Sequence, residues 1–87
     1  VYVILVYDVG ERRVAKVCKF LRRYLLWVQR SVFEGEVTES QLEAIRLGVK
    51  KLINKDGDSI YIYKMRSDWN VDKEIIGSEK SPTENVL

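Results

Sequence analysis

Asp8 closes an uninterrupted apolar run, Val1 to Tyr7 (VYVILVY), and stands directly before Val9-Gly10. A carboxylate at the end of a covered strand lies at a sheet edge, where loops converge and a ligand can approach. Mg²⁺ takes one or two carboxylates together with water and substrate phosphate. One Asp8 per chain is therefore half of such a site, and a two-fold dimer that brings two Asp8 side chains near its axis supplies the other half. An Asp before Gly is also a common turn former, and it can cap the following helix by accepting backbone amide protons. Position alone supports both readings.

The rest of the composition narrows the chemistry. The chain has no His, which removes an imidazole base, a His-ligated zinc and a Ser-His pair. Its single cysteine, Cys18, falls on the apolar stripe of a helix and reads as buried filler, not a thiolate nucleophile. Hard-metal oxygen chemistry is what remains: a divalent ion, Mg²⁺ or another hard metal, held by Asp8, polarising a phosphodiester and lowering the pKa of a water that attacks phosphorus.

A second signal follows immediately. Arg12, Lys16, Lys19 and Arg23 share a narrow sector of the next helix, flanked by Arg13 and Arg22, with only Glu11 opposing them. The net charge of +2 hides this asymmetry. Residues 1–30 hold seven Arg or Lys against two acids, and residues 31–87 hold eight against eleven. Any exposed helix carries charge, but the second helix mixes signs (Glu39, Glu43, Arg46, Lys50, Lys51), so a face of one sign reads as contact with a phosphate backbone. Such contact is largely independent of sequence and weakened by salt. It does not distinguish RNA from DNA. Tyr61 and Tyr63 raise a rival, an RNA-recognition-motif-like module that stacks bases on its central strands, but the glycine-containing motif of those domains is missing.

The elements that must position these residues follow from periodicity. Val1 to Tyr7 suits a central strand. Val14, Val17, Cys18, Leu21 and Leu25 mark the core face of a first helix running from Glu11 to near Leu26. Trp27 to Val37 alternates as one strand, with Gly35 suggesting a bulge or bend. Thr38-Glu39-Ser40-Gln41 matches a capping box, and Leu42, Ile45, Val49, Leu52 and Ile53 give the stripe of a second helix that stops at the turn-rich Asn54 to Asp58. Ser59 to Met65 is a further strand, Arg66 to Asp72 a loop with Trp69 folding over the sheet, and Lys73 to Gly77 a short last strand. The order is read as β-α-β-β-α-β: an α+β, ferredoxin-like sandwich, with a four-stranded antiparallel sheet and both helices on one face.

Both sides of the first strand are apolar, Val1, Val3, Leu5 and Tyr7 on one and Tyr2, Ile4 and Val6 on the other. Helices on one side leave the second side to a partner, most economically another copy packed sheet to sheet. At 87 residues and 46% apolar the chain suits one domain, residues 1–77, with a tail over 78–87 that reads either as a disordered end or as a short fifth strand, exchanged with a partner's sheet. No apolar stretch approaches the roughly 20 residues of a membrane span, and neither a signal-type segment nor a disulfide pair is present, which reads as a cytoplasmic protein.

The strand ending Val6-Tyr7-Asp8-Val9, the basic helix after it, and Val28-Gln29-Arg30-Ser31-Val32-Phe33-Glu34-Gly35 together resemble the Cas-two family of small CRISPR-associated proteins, partners of the integrase that acquires new spacers. The likeness spans nearly the whole chain. It implies a ferredoxin-like homodimer and a Mg²⁺-dependent endonuclease acting on RNA or double-stranded DNA, with Asp8 as the metal ligand. Tyr7, Arg13 and Phe33 match positions associated with the family's site. The alternative it implies is a scaffold that bridges the integrase and spans DNA without cutting. One departure stands out: many relatives carry Arg two residues before the glutamine, where this chain has Trp27 and places Arg30 after Gln29 instead. The resemblance gives the tail, with Val86 and Leu87, the role of extending a partner's sheet or docking the integrase.

Overall fold

A computed structural model describes residues 1–66 and 70–79. Seven elements follow one another: β1 (Tyr2–Asp8), α1 (Glu11–Leu21), β2 (Leu26–Gln29), β3 (Val32–Glu36), α2 (Glu39–Leu52), β4 (Ser59–Met65) and β5 (Val71–Gly77). The strands form one antiparallel sheet in the order β2-β3-β1-β4-β5. Its first four members, read as β4-β1-β3-β2 with two intervening helices, are the ferredoxin-like arrangement, and β5 adds a fifth strand beside β4.

Two corrections to the expected elements explain that count. Residues 27–37 are not one strand: Arg30 and Ser31 turn the chain back, and β2 pairs with β3 (Leu26 with Glu34, Trp27 with Phe33). Arg30 takes a positive φ of 40° to do so, a conformation uncommon for a residue with a side chain. Helix α1 ends at Leu21, four residues before the apolar stripe does and five before the expected end near Leu26. Leu25 still reaches the core, 4% exposed, because Tyr24 and Leu25 both return their amides to the Leu21 carbonyl, after which pairing with β3 takes the backbone into strand. The sheet irregularity falls between Trp27 and Gln29 and not at Gly35, which pairs regularly with Val3 and instead leaves room for Leu25.

The second helix starts as read. Thr38 Oγ1 accepts from the Gln41 amide at 3.0 Å, and Gln41 Oε1 accepts from the Thr38 amide at 2.9 Å. Strand β5 begins two residues before Lys73 and pairs with β4 along its whole length, the hairpin closing through Arg66 N–H to Asn70 O. The expected position of Trp69, and the tail beyond Glu79 with Val86 and Leu87, lie outside the described residues.

Alternation along β1 decides the layers. Val3 and Leu5 are fully buried with Phe33, Ile60 and Ile62 against Val17, Leu21, Leu42, Ile45 and Val49 of the helices. Where α1 and α2 cross, Gly48 has no side chain because a Cβ there would overlap the Phe20 ring. Tyr2, Ile4 and Val6 face the other way, in register with Glu34 and Val32 of β3 and with Tyr61, Tyr63 and Met65 of β4. No helix of the described residues covers that face.

Candidate functional site

Asp8 ends β1 on the face without helices, exposed, in register with Ser59 of β4 and through it with Gly77 of β5. The capping alternative for Asp8 does not hold. Helix α1 takes Gly10 as its N-cap and receives no side-chain cap, and among the described residues no hydrogen bond engages the Asp8 carboxylate. The carboxylate points away from the helix because residue 8 is even-numbered on a strand whose odd positions face the helices.

Ser59, beside it, is fully buried, and its hydroxyl has no hydrogen-bond partner among the described residues. The exposed Asp8 carboxylate suits an oxygen-seeking cation, but the described residues contain no group of three His, Cys, Asp or Glu able to hold one. One chain supplies a single carboxylate, which fits half of a Mg²⁺ site.

Tyr7, on the opposite face, is brought together with Phe33 and away from Asp8. Its ring lies 6.1 Å from that of Phe33. Its hydroxyl lies 3.1 Å from Cys18 Sγ and donates to the Arg30 carbonyl at 3.3 Å. Burial first, then the Cys18 contact, pushes the Tyr7 hydroxyl up to about 12, so it stays protonated at neutral pH and acts as a donor. Phe33 is fully buried and meets the site only through Tyr7.

Arg13 is committed elsewhere. Its Nε and Nη2 donate to the two oxygens of Asp58, a carboxylate only 2% exposed. Asp58 also accepts from the Gly10 amide at 2.8 Å and the Asn54 amide at 2.9 Å. The Arg13 guanidinium and the two amides hold Asp58 well below the ordinary carboxylate range, against the upward push of burial. Gly10 permits this approach, since a Cβ there would stand 2.5 Å from Arg13 Nη2. Asp58 thus ties the loop after Asp8 to the loop after α2. Sequence reading left it as a turn residue because Asn54 is its one local partner, while Arg13 and Gly10 lie 45 and 48 positions away.

The basic face is divided by the early end of the helix. Arg12, Lys16 and Lys19 are exposed along α1, while Arg22 and Arg23 are exposed just past its end at Leu21, with the Arg23 guanidinium over the Phe20 ring at 5.9 Å. No helix of the described residues is long and apolar enough to cross a membrane.

The profile of the family described as CRISPR associated protein Cas2 matches residues 1–73. The chain belongs to the Cas2 family. A CRISPR-associated endoribonuclease Cas2 of Pyrococcus furiosus is 52% identical over 86 residues, covering 99% of each chain, and one of Methanothermobacter thermautotrophicus is 47% identical over 87 residues, all of this chain and 96% of that one. The crystal structure of Streptococcus pyogenes Cas2 superposes with a TM-score of 0.71 at 31% identity, covering 79% of this chain and 90% of that one. A further Cas2 crystal structure gives 0.68 at 39% identity, covering 99% and 97%. Cas2 membership accords with the expected fold and displaces the RNA-recognition-motif reading, although Tyr61 and Tyr63 do stand on the open face.

Proposed function

We propose that this protein is a CRISPR-associated endoribonuclease that works as a homodimer in spacer acquisition, with Asp8 as its essential carboxylate. The observation that carries the reading is that Asp8 is exposed, free of any capping bond, and on the sheet face that the helices leave bare. A second copy covering Tyr2, Ile4, Val6, Tyr61 and Tyr63 would remove that apolar surface from water and bring a second Asp8 to the same face. The relatives that match over nearly their whole length carry the endoribonuclease name, and the basic face of α1 begins with Arg12, four residues after Asp8.

In this reading the two Asp8 carboxylates hold Mg²⁺, which when bound supplies neutralisation of the phosphodiester charge and a more acidic water. The protein's own groups do the rest. Arg12, Lys16 and Lys19 grip backbone phosphates, Arg13 and Asp58 fix the loop that carries Asp8, and Tyr7 and Phe33 support the end of β1 from the helix side. The water oxygen bonds to phosphorus, the bond to the leaving oxygen breaks, and the proton lost by water ends on that leaving oxygen.

Asp8→Asn tests it. Cleavage of single-stranded RNA, assayed with Mg²⁺ and again with EDTA, should fall by at least about 10²-fold in the variant while RNA affinity stays within about twofold. Full cleavage by Asp8→Asn would overturn the catalytic role. The single carboxylate per chain favours a second reading, a dimeric scaffold that binds the integrase and DNA without cutting. Normal spacer integration by a cleavage-dead Asp8→Asn protein would support it.

A further inference from the structure

Trp27 is half exposed, at 53%, on the sheet edge, yet it is held in place. Its Nε1 donates to the Arg30 carbonyl at 2.7 Å, and the same carbonyl accepts from the Tyr7 hydroxyl at 3.3 Å. Trp27 is therefore joined through one backbone oxygen to the residue that precedes Asp8. It pairs directly with Phe33, whose side chain faces the helices, so Trp27 lies on the helix side of the sheet and away from the face a second copy would cover.

The surroundings are basic. Arg30 supplies the carbonyl, and Arg22, itself exposed, lies near enough for its charge to act on the Tyr7 hydroxyl. No acidic residue occurs in the sequence between Glu11 and Glu34. A buried core does not need this indole, and a surface made only for phosphates would not need an aromatic ring. An aromatic face fixed by its own N–H and set among guanidinium groups is the combination that binds single-stranded nucleic acid, the ring stacking on a base and the cations holding the phosphates.

We propose that Trp27 is a stacking platform for one unpaired nucleobase of a single-stranded nucleic acid, with Arg22 and Arg30 on the adjoining phosphates. The proposal deepens the nuclease reading by giving the strand a fixed point joined through the Arg30 carbonyl to Tyr7, the residue before Asp8. It selects single strands, because the bases of a duplex show their faces only at its ends.

The test measures binding without cleavage, on the full chain in EDTA. Trp27→Ala should weaken binding of a short oligouridylate by about ten- to a hundredfold, while affinity for a blunt RNA duplex changes by less than about twofold. Trp27→Phe should restore most of the oligouridylate affinity. In a Trp69→Phe background, oligouridylate should quench the remaining Trp27 emission, a readout that leaves position 27 intact even where Trp27→Ala folds poorly. Equal loss for oligouridylate and duplex, or no quenching at saturation, would overturn the proposal. So would unchanged affinity with an altered sedimentation mass, which would make Trp27 a contact between protein copies. An Asp8→Asn protein that still cleaves RNA would sink the nuclease reading and leave these binding results standing.

Discussion

Asp58→Ala is the substitution expected to do the most damage for its size. It removes an acceptor that is 2% exposed and leaves the Gly10 amide, the Asn54 amide and the Arg13 guanidinium without their partner. An orphaned buried donor costs about 1–3 kcal/mol. Gly10 is half-buried and Asn54 exposed, so water recovers part of the loss and the lower end applies, about 2 kcal/mol for the two amides together. Arg13 adds nothing to that figure, because its side chain reaches solvent. At about 4–8 °C per kcal/mol for a domain this small, the melting midpoint should fall by about 8–16 °C. Thermal unfolding followed by circular dichroism measures it. Asp58→Asn keeps one acceptor oxygen and should lose about half as much.

The same network predicts a pH dependence. The Asp58 carboxyl is held below its ordinary value in the folded protein, chiefly by Arg13. As pH falls, the unfolded chain takes up this proton first, so the stabilisation is complete above about pH 4 and is lost as pH drops from there through the folded carboxyl's own pKa. The parent protein should therefore lose stability below about pH 4 more steeply than Asp58→Asn, which has no charge to lose there. A melting midpoint for Asp58→Ala within about 2 °C of the parent, or parallel acid profiles for parent and Asn variant, would refute the claim that this carboxylate locks the loop.

Two further outcomes follow from the helices. Gly48→Ala would ordinarily stabilise a helix interior by about 0.5–1 kcal/mol. Here the new methyl meets the Phe20 ring, and overpacking of about 1–3 kcal/mol should win, giving a net loss in chemical denaturation; a gain would show that α1 shifts freely on α2. Reversing Arg12, Lys16 and Lys19 to Glu should lower nucleic-acid affinity at low salt and flatten its dependence on salt concentration, measured by titration at several ionic strengths. An unchanged salt slope would mean that phosphates bind elsewhere.

What the sequence made legible was whatever had a local pattern. The buried run before Asp8, the Thr38–Gln41 box and the stripe of α2 are each written within a few residues, and each stands in the structure as expected. The hairpin of residues 26–36 was not legible because Arg30-Ser31 carries none of the Gly or Asn signals of a tight turn; the positive φ at Arg30 is imposed by the pairing of β2 with β3. The end of α1 was hidden for a similar reason, since Leu25 keeps to the apolar stripe after the helix has stopped. At the site, Asp8 was found by its place at the end of the strand, but the commitment of Arg13 to Asp58 was invisible, being a contact across 45 positions.

That hidden contact changes how the site must be understood. Asp8 faces the bare side of the sheet and the cations of α1 lie in the layer on the other side, so a phosphate chain gripped by the helix reaches the carboxylate only past Val9 and Gly10. Helix α1 rises about 1.5 Å per residue, so Arg12 is the exposed cation of its basic row nearest that passage and Lys19 lies about 10 Å further along it. The Gly10 amide is the point where Asp58 fastens the passage to the rest of the fold. Arg13, one residue beyond Arg12, is thus spent on holding the loop's shape, and in the proposed function the grip on substrate falls to its neighbours. The division gives separate work to the four basic residues of this short helix: Arg13, committed to a buried carboxylate, acts from beneath, and Arg12, Lys16 and Lys19 are left to carry the exposed charge.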